Sequence, residues 1–146
     1  MPAIQEAYGF RQPVGFEGTQ ANMEPVVHIT RTVTGGPIRL GRVVVQGATD
    51  MSVKAPAGTY RGLAIESAEI RATGGVDQYP EGTEACVAVK GVYWVKATAA
   101  VTAPGTPAFY APDGTITPTA GSGTPIPNAI FDSTGAAGAL VKLRLQ

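Results

Sequence analysis

One segment near the middle of the chain, residues 87–96 (VAVKGVYWVK), alternates between two sets of side chains with a period of two residues. That period belongs to a β-strand, whose side chains point to opposite faces in turn, and it does not fit a helix. The run is long for one strand. Gly91 lies near its middle, where a bulge or bend is expected because glycine tolerates the backbone angles that a bulge requires. We therefore predict a bent β-strand around which the rest of the chain packs.

Shorter segments with strand character occur along the chain, separated by turn residues, at positions 26–33, 40–46, 51–54, 60–65, 107–111, 115–117, 129–131 and 139–145. The dipeptide Asp113-Gly114 indicates a two-residue hairpin. Residues 119–127 (TAGSGTPIP) are expected to form a loop, and residues 66–72 a loop or a short strand. About ten strand candidates without a convincing helix predict an all-β fold, either a single compact β-sandwich of jelly-roll type or a barrel. The pattern alone does not decide between these two architectures.

The first 25 residues differ from the rest, because they contain three prolines and three glycines among the isolated aromatic residues Tyr8, Phe10 and Phe16. Such a segment cannot sustain a helix, and it would bury its aromatic side chains poorly if it stood alone. We predict that residues 1–25 form an extended N-terminal arm that packs on a neighbouring subunit or partner, and that residues 26–146 form the β-domain. A disordered tail and a further strand of the domain are the alternatives.

Composition excludes several classes of partner. The 11 lysine and arginine residues balance the 11 aspartate and glutamate residues, so no net charge attracts nucleic acid or an anionic membrane. No apolar stretch approaches the roughly 20 residues of a membrane span, and the first residues do not resemble a secretory signal. Cys86 is the only cysteine, which excludes an intrachain disulfide and fits assembly in a reducing cytoplasm.

The residues that usually carry catalysis are sparse. His28 is the only histidine, so several imidazoles cannot share a metal, and the ring is expected to be hydrogen-bonded locally on a sheet face. None of the four serines lies in a Gly-x-Ser-x-Gly elbow, and Cys86 is expected to pack in the core. Two spaced pairs of carboxylates are interpreted as solvated side chains: Glu66 with Glu69, and Glu81 with Glu84. We predict no catalytic residue, no cofactor and no metal.

Tyr93 and Trp94 are adjacent on the alternating strand and therefore point to opposite faces. One is expected in the core and the other at the surface or in an interface. An exposed aromatic side chain at this position suits a partner surface better than an isolated monomer.

Several short motifs follow one another in the second part of the chain. They are YRGLAI at 60–65, YPEG at 79–82 before CVAV, GVYWV at 91–95, VTAPGTP at 101–107 before an aromatic strand, IPNAIFDS at 126–133, GAAG at 135–138 and a final strand at 140–145. In this order they resemble the small capsid decoration, or structural cement, proteins of tailed bacteriophages. The likeness covers residues 40–146.

The resemblance implies a virion structural protein, made in the host cytoplasm, that binds the outer surface of the phage head. There it would bridge major capsid subunits and stabilise the shell against internal DNA pressure, without catalysis. The implied partners are the major capsid protein and further copies of the chain itself, with a dimer favoured over a trimer. Interface candidates are Tyr8, Phe10 and Phe16 in the arm and Tyr93 or Trp94 on the strand. The alternatives are a β-rich surface or carbohydrate-binding module of a virion and an enzyme that uses one of the carboxylate pairs.

Overall fold

The computed structural model describes residues 15–67, 71–73 and 76–146, and this part of the chain is almost entirely β. A single 3-10 turn, Ala120–Ser122, is the one helical element within these ranges. The strands are β1 (Val27–Val33), β2 (Ile38–Arg39), β3 (Val43–Gln46), β4 (Ser52–Lys54), β5 (Tyr60–Ile65), β6 (Arg71–Thr73), β7 (Val76–Tyr79), β8 (Glu84–Lys96), β9 (Pro107–Tyr110), β10 (Ile116–Thr117), β11 (Thr124–Phe131) and β12 (Leu140–Leu145). The prediction of an all-β fold is confirmed.

Five of the strands close into a barrel. β1 pairs with β4, β4 with β3, β3 with β5, β5 with β8, and β8 again with β1. Each of these strands contributes apolar side chains to one cluster, which fills the barrel because closing the ring turns one face of every strand inward. The members from the five strands are Ile29, Val33, Val44, Val53, Ala64, Ala85 and Val87.

A second sheet packs on the outside of the barrel. β8 continues beyond the barrel and pairs with β12, which is followed by β11, β9 and β10. The barrel strands turn their other face toward this sheet: Val44 lies in the barrel cluster, whereas Val43 and Val45 lie in the second cluster. From the sheet this second cluster takes Tyr93, Val95, Phe131, Val141 and Leu143. The fold therefore combines a barrel with a packed second layer.

Strand β8 belongs to both layers and is 13 residues long. Its first half pairs with β1 and β5, and its second half pairs with β12. Gly91 lies where the partners change, opposite Leu145, and its φ of 127° is accessible to glycine but strained for other residues. The predicted long strand with an irregular glycine at its middle is confirmed.

The hairpin predicted at Asp113-Gly114 connects β9 and β10, but its loop, residues 111–115, is longer than the two residues predicted. The Gly114 N–H donates to the Ala111 carbonyl at 2.9 Å, and Gly114 has a φ of 83°. The Asp113 carboxylate accepts hydrogen bonds from the backbone N–H and the hydroxyl of Thr115, at 3.1 and 2.5 Å. The turn is fixed to the barrel because the Val43 N–H donates to the Gly114 carbonyl at 3.0 Å.

Some strand boundaries differ from those predicted. The single strand expected at residues 40–46 is interrupted by Gly41, which has a φ of 71°, so that β2 and β3 are separate. The strand β7, which was not predicted, pairs with β2 and β6. The loop expected at residues 119–127 ends early, because Thr124 and Pro125 already pair with β9. In each case the pairing depends on distant residues rather than on the local pattern.

Candidate functional site

The described part of the N-terminal segment lies along one edge of β8. The Gly18 N–H donates to the Trp94 carbonyl at 2.9 Å, the Trp94 N–H donates to the Thr19 carbonyl at 2.9 Å, and the Ala21 N–H donates to the Val92 carbonyl at 2.8 Å. β12 pairs with the same residues of β8, so the segment occupies the opposite edge of that strand. Residues 18–21 therefore act as a short additional strand of the domain.

After this pairing the chain passes over Gly91, a passage called the crossing below, and enters β1, where Val27 pairs with Lys90. A Cβ atom added at Gly91 would lie 2.8 Å from Val26 Cγ1 and 2.8 Å from the Tyr93 hydroxyl oxygen. Real Cβ atoms essentially never make contacts this short. Glycine at this position therefore leaves the space that Val26 and the Tyr93 hydroxyl occupy.

An ion pair holds the end of the crossing segment. Glu24 Oε1 lies 2.7 Å from Arg144 Nη2 on β12, and the same nitrogen lies 3.3 Å from Asp132 Oδ2. All three side chains remain partly exposed, so each pair is worth about 0.2–1 kcal/mol. The N-terminal segment is thus attached at two places, by backbone pairing at residues 18–21 and by the Glu24 carboxylate.

The root of the predicted arm lies beside Trp94. Phe16 is 53% exposed, the largest exposed fraction among the aromatic residues in the described ranges. A Cβ atom added at Gly15 would lie 3.5 Å from Trp94 Cδ1. Trp94 itself is half-buried, and the ammonium nitrogen of Lys142 lies 5.6 Å from its ring centroid, at the distance of a cation–π contact. Tyr8 and Phe10 lie outside the described residues.

Tyr93 points to the other face of β8 and is fully buried in the second cluster. Its hydroxyl donates to the Lys90 carbonyl at 2.9 Å, so the ring N–H of His28 is the donor in the 2.7 Å contact between His28 Nε2 and the same hydroxyl. Burial, and to a smaller extent Cys86, raises the pKa of Tyr93 to about 12. The local hydrogen bond expected of His28 is therefore made to the one strand aromatic that lies in the core.

A cleft of about 580 Å³ opens at the root of the arm. Its walls come from six parts of the chain: residues 15–17, the β2–β3 connection, the start of β7, the end of β8, Thr115 and the start of β12. Apolar surface is provided by Phe16 and Leu140, with the buried Leu40 and Ala97 beneath, and the charged groups that line the cleft are Glu17, Arg39, Arg42, Asp77 and Lys96. Arg42 has a partner in Asp113 at 3.9 Å, whereas in the described part of the chain neither Arg39 nor Lys96 forms an ion pair.

The carboxylates and the cysteine that were considered as catalytic candidates have structural roles where the structure describes them. Glu81 Oε1 accepts a hydrogen bond from the Gly35 N–H at 3.1 Å, and Glu84 Oε1 accepts one from the Thr32 hydroxyl at 2.7 Å. Cys86 packs half-buried against the second cluster, and burial raises the pKa of its thiol. Among the described residues no group of three or more histidine, cysteine, aspartate or glutamate side chains could hold a metal ion.

The described residues form no helix that is long and apolar enough to span a membrane.

Sequence reasoning did not reveal the crossing or the cleft. Both depend on close approaches of backbone that only glycines mark. A Cβ atom added at Gly18 would lie 3.2 Å from the Gly41 nitrogen, and one added at Gly41 would lie 2.9 Å from the Glu17 Cβ. The sequence therefore marks these sites only by glycines that are far apart in the chain, and the structure is needed to show which glycines lie next to each other.

Comparisons with known proteins agree with this architecture. The model of the family of structural cement proteins (E217 gp24/Pam3 gp6) matches residues 4–146. A chain in the solved capsid of Myoviridae phage XM1 is similar with a TM-score of 0.71 and 21% identity, over 99% of this chain and 98% of that chain. The N base of head fibre gp8.5 of bacteriophage phi29 has a TM-score of 0.49 and 17% identity, over 84% of this chain and 95% of that chain. No curated protein matches the sequence. The likeness to XM1 supports the fold, and the family match over nearly the whole chain shows that this protein belongs to the phage structural cement proteins.

Proposed function

We propose that this virion head protein binds the outer surface of the assembled shell, bridges neighbouring major capsid subunits and stabilises the shell against the pressure of packaged DNA. The family match over residues 4–146 carries the proposal. The geometry is consistent with it, because the N-terminal segment is attached to β8 by backbone hydrogen bonds and to β12 by the Glu24–Arg144 ion pair, which fixes the point at which residues 1–14 join the domain. A fixed origin lets an extended arm reach a defined neighbouring site.

The proposed contacts are aromatic. Tyr8, Phe10 and Phe16 would contact the shell or a neighbouring copy of the chain from the arm, and Trp94 would contact the shell from the strand beside its root. Tyr93 is buried in the free chain and would support the same surface from beneath. Each contact is modest, so tight attachment comes from avidity: a symmetric oligomer, a dimer in preference to a trimer, repeats the contacts over a lattice.

This role requires neither a catalytic residue nor a nucleic-acid partner. The balanced charge of 11 cationic and 11 anionic side chains gives no general attraction to DNA. A carbohydrate-binding role would require a platform of exposed aromatic residues, and in the described ranges Phe16 is the one aromatic among the exposed large apolar residues. Binding to the shell protein is therefore the better-supported role.

Co-sedimentation with undecorated heads tests the proposal. Deleting residues 2–14 leaves the pairing of residues 18–21 with β8 in place, so the variant is expected to fold and to bind heads about tenfold or more weakly, as expected when one element of a multivalent contact is lost. Trp94→Ala should weaken binding in the same direction. Met51→Ala is the matched control, because Met51 is 58% exposed and lies outside the arm root and the cleft.

Two results would contradict the proposal. If the full-length protein does not sediment with heads, the shell is not its partner. If the deletion variant binds as tightly as the full-length protein, the arm is not part of the contact.

A further inference from the structure

We propose that the cleft at the root of the arm receives the arm of a second copy, so that two copies exchange arms reciprocally. This inference rests on the proposed function, in which a symmetric oligomer attaches to the shell, and it names the surface that builds that oligomer. The occupant is the segment Ile4 to Arg11, which lies outside the described residues.

The position where the described chain begins is the first argument. Gly15 and Phe16 themselves line the cleft, so the 14 residues before them start at its wall. Fourteen extended residues span at most about 50 Å. The arm is therefore long enough to reach an equivalent cleft on an adjacent molecule.

Chemical complementarity is the second argument. The segment IQEAYGFR contains one carboxylate, Glu6, on the N-terminal side of Ala7, Tyr8 and Phe10, and it ends with Arg11. The cleft offers apolar surface for Tyr8 and Phe10, and it offers Arg39 and Lys96, neither of which has an ion-pair partner in the described part of the chain. The carboxylates that line the cleft, Glu17 and Asp77, could pair with the guanidinium of Arg11. An apolar surface flanked by unpaired charges matches this segment in both respects.

The local sequence favours a second copy over the chain's own cleft. No glycine lies between Gly9 and Gly15, and Pro13 biases Gln12 toward an extended conformation. A reversal within these residues is therefore disfavoured, and the arm is expected to leave the cleft. When two clefts face each other across a two-fold axis, each arm begins beside the partner's cleft, and reciprocal exchange closes the dimer.

Disulfide trapping in the full-length protein tests the exchange. In a Cys86→Ala background, one variant carries Ala7→Cys in the arm, which keeps both aromatic residues, and another carries Thr98→Cys in the cleft. Mixing them under mild oxidation should give a covalent heterodimer as the main product. In the control, Lys54→Cys replaces Thr98→Cys, because Lys54 is exposed but does not line the cleft; it should give only the yield of random collision.

Equal yields with Thr98→Cys and Lys54→Cys would overturn the proposal. So would an intrachain disulfide, without interchain product, in one chain that carries both Ala7→Cys and Thr98→Cys, since the arm would then occupy its own cleft. Sedimentation velocity gives a second measurement that requires no cysteine. Glu6→Lys should weaken self-association about tenfold, Lys54→Glu should not, and an unchanged dissociation constant for Glu6→Lys contradicts the exchange.

Head binding in the same preparations separates this inference from the proposed function. Normal trapping together with no binding to heads would refute the shell-binding role and leave the exchange supported. No trapping together with normal binding to heads would refute the exchange alone.

Discussion

The substitution Gly91→Ala addresses the crossing, the point where the N-terminal segment passes over Gly91. An alanine there would have a φ of 127°, and its Cβ atom would lie 2.8 Å from both Val26 Cγ1 and the Tyr93 hydroxyl oxygen. Tyr93 is fully buried and has no room to withdraw, whereas Val26 is 36% exposed and can move only together with the backbone that leads into β1. The variant must therefore accept backbone strain and also displace the crossing segment or the tyrosine.

The expected loss of stability follows from these two effects. A non-glycine residue in a sparsely populated backbone region costs about 1–3 kcal/mol, and forcing extra volume into a packed site costs about 1–3 kcal/mol more. Alanine recovers about 0.4–1 kcal/mol by restricting the unfolded chain. We expect a net decrease of about 3 kcal/mol in the free energy of unfolding, which corresponds to a Tm lower by roughly 6–12 °C for a chain of this size.

Urea denaturation followed by fluorescence measures this loss, because Trp94 is the single tryptophan. Gly36→Ala is the matched control: its φ is 109°, and an added Cβ atom would have no neighbour within 4 Å. This control carries the backbone strain without the contact, so it should lose about 1–2 kcal/mol. Equal losses in the two variants would show that the crossing does not constrain Gly91, and the reasoning would be wrong.

Three further changes can be measured with the same protein. Tyr93→Phe removes the hydroxyl that contacts His28 and should lower the free energy of unfolding by about 1–2 kcal/mol, and an unchanged urea midpoint would contradict that role. Because burial raises the pKa of the Cys86 thiol, alkylation at pH 8 should be much slower in native protein than in urea; equal rates would show an accessible thiolate. The Thr115 hydroxyl bond lowers the pKa of Asp113 below its ordinary value of 3.8. A carboxyl group whose pKa is lower in the folded than in the unfolded state stabilises the fold at pH values above the unfolded pKa. This stabilisation is lost as the pH falls through the folded pKa. Asp113→Asn should therefore flatten the acid limb of the stability curve below about pH 4, and an unchanged limb would refute it.

The elements that the sequence predicts correctly are those whose cause is local. The alternation before Gly91 specifies a strand because neighbouring residues pack in different clusters, Val87 inside the barrel and Ala88 in the second cluster. Asp113-Gly114 specifies a turn because the carboxylate bonds the backbone two residues later. Both signals are complete within a few residues, so no knowledge of the remaining fold is required.

The features that were missed have their cause elsewhere in the chain. Strand β7 pairs with β2, about 40 residues earlier in the sequence, and neither segment shows a strong alternation of its own. The break at Gly41 exists because residues 17 and 18 pass over it. The cleft is bounded by six separate parts of the chain. Tertiary contacts determine each of these features, and the strand propensity of the local sequence does not predict them.

The candidate site was difficult to find for a further physical reason. A protein that acts by attachment needs no perturbed carboxylate or metal ligand, so its residues carry no chemical signature in the sequence, and the order of motifs was the stronger indication of the family. What the structure adds is a connection between stability and attachment. The crossing at Gly91 and the ion pair of Glu24 with Arg144 fix the start of the arm beside Trp94. A variant that loosens the crossing should therefore weaken head binding even where it leaves every proposed contact residue in place, because the arm would begin from a less defined position.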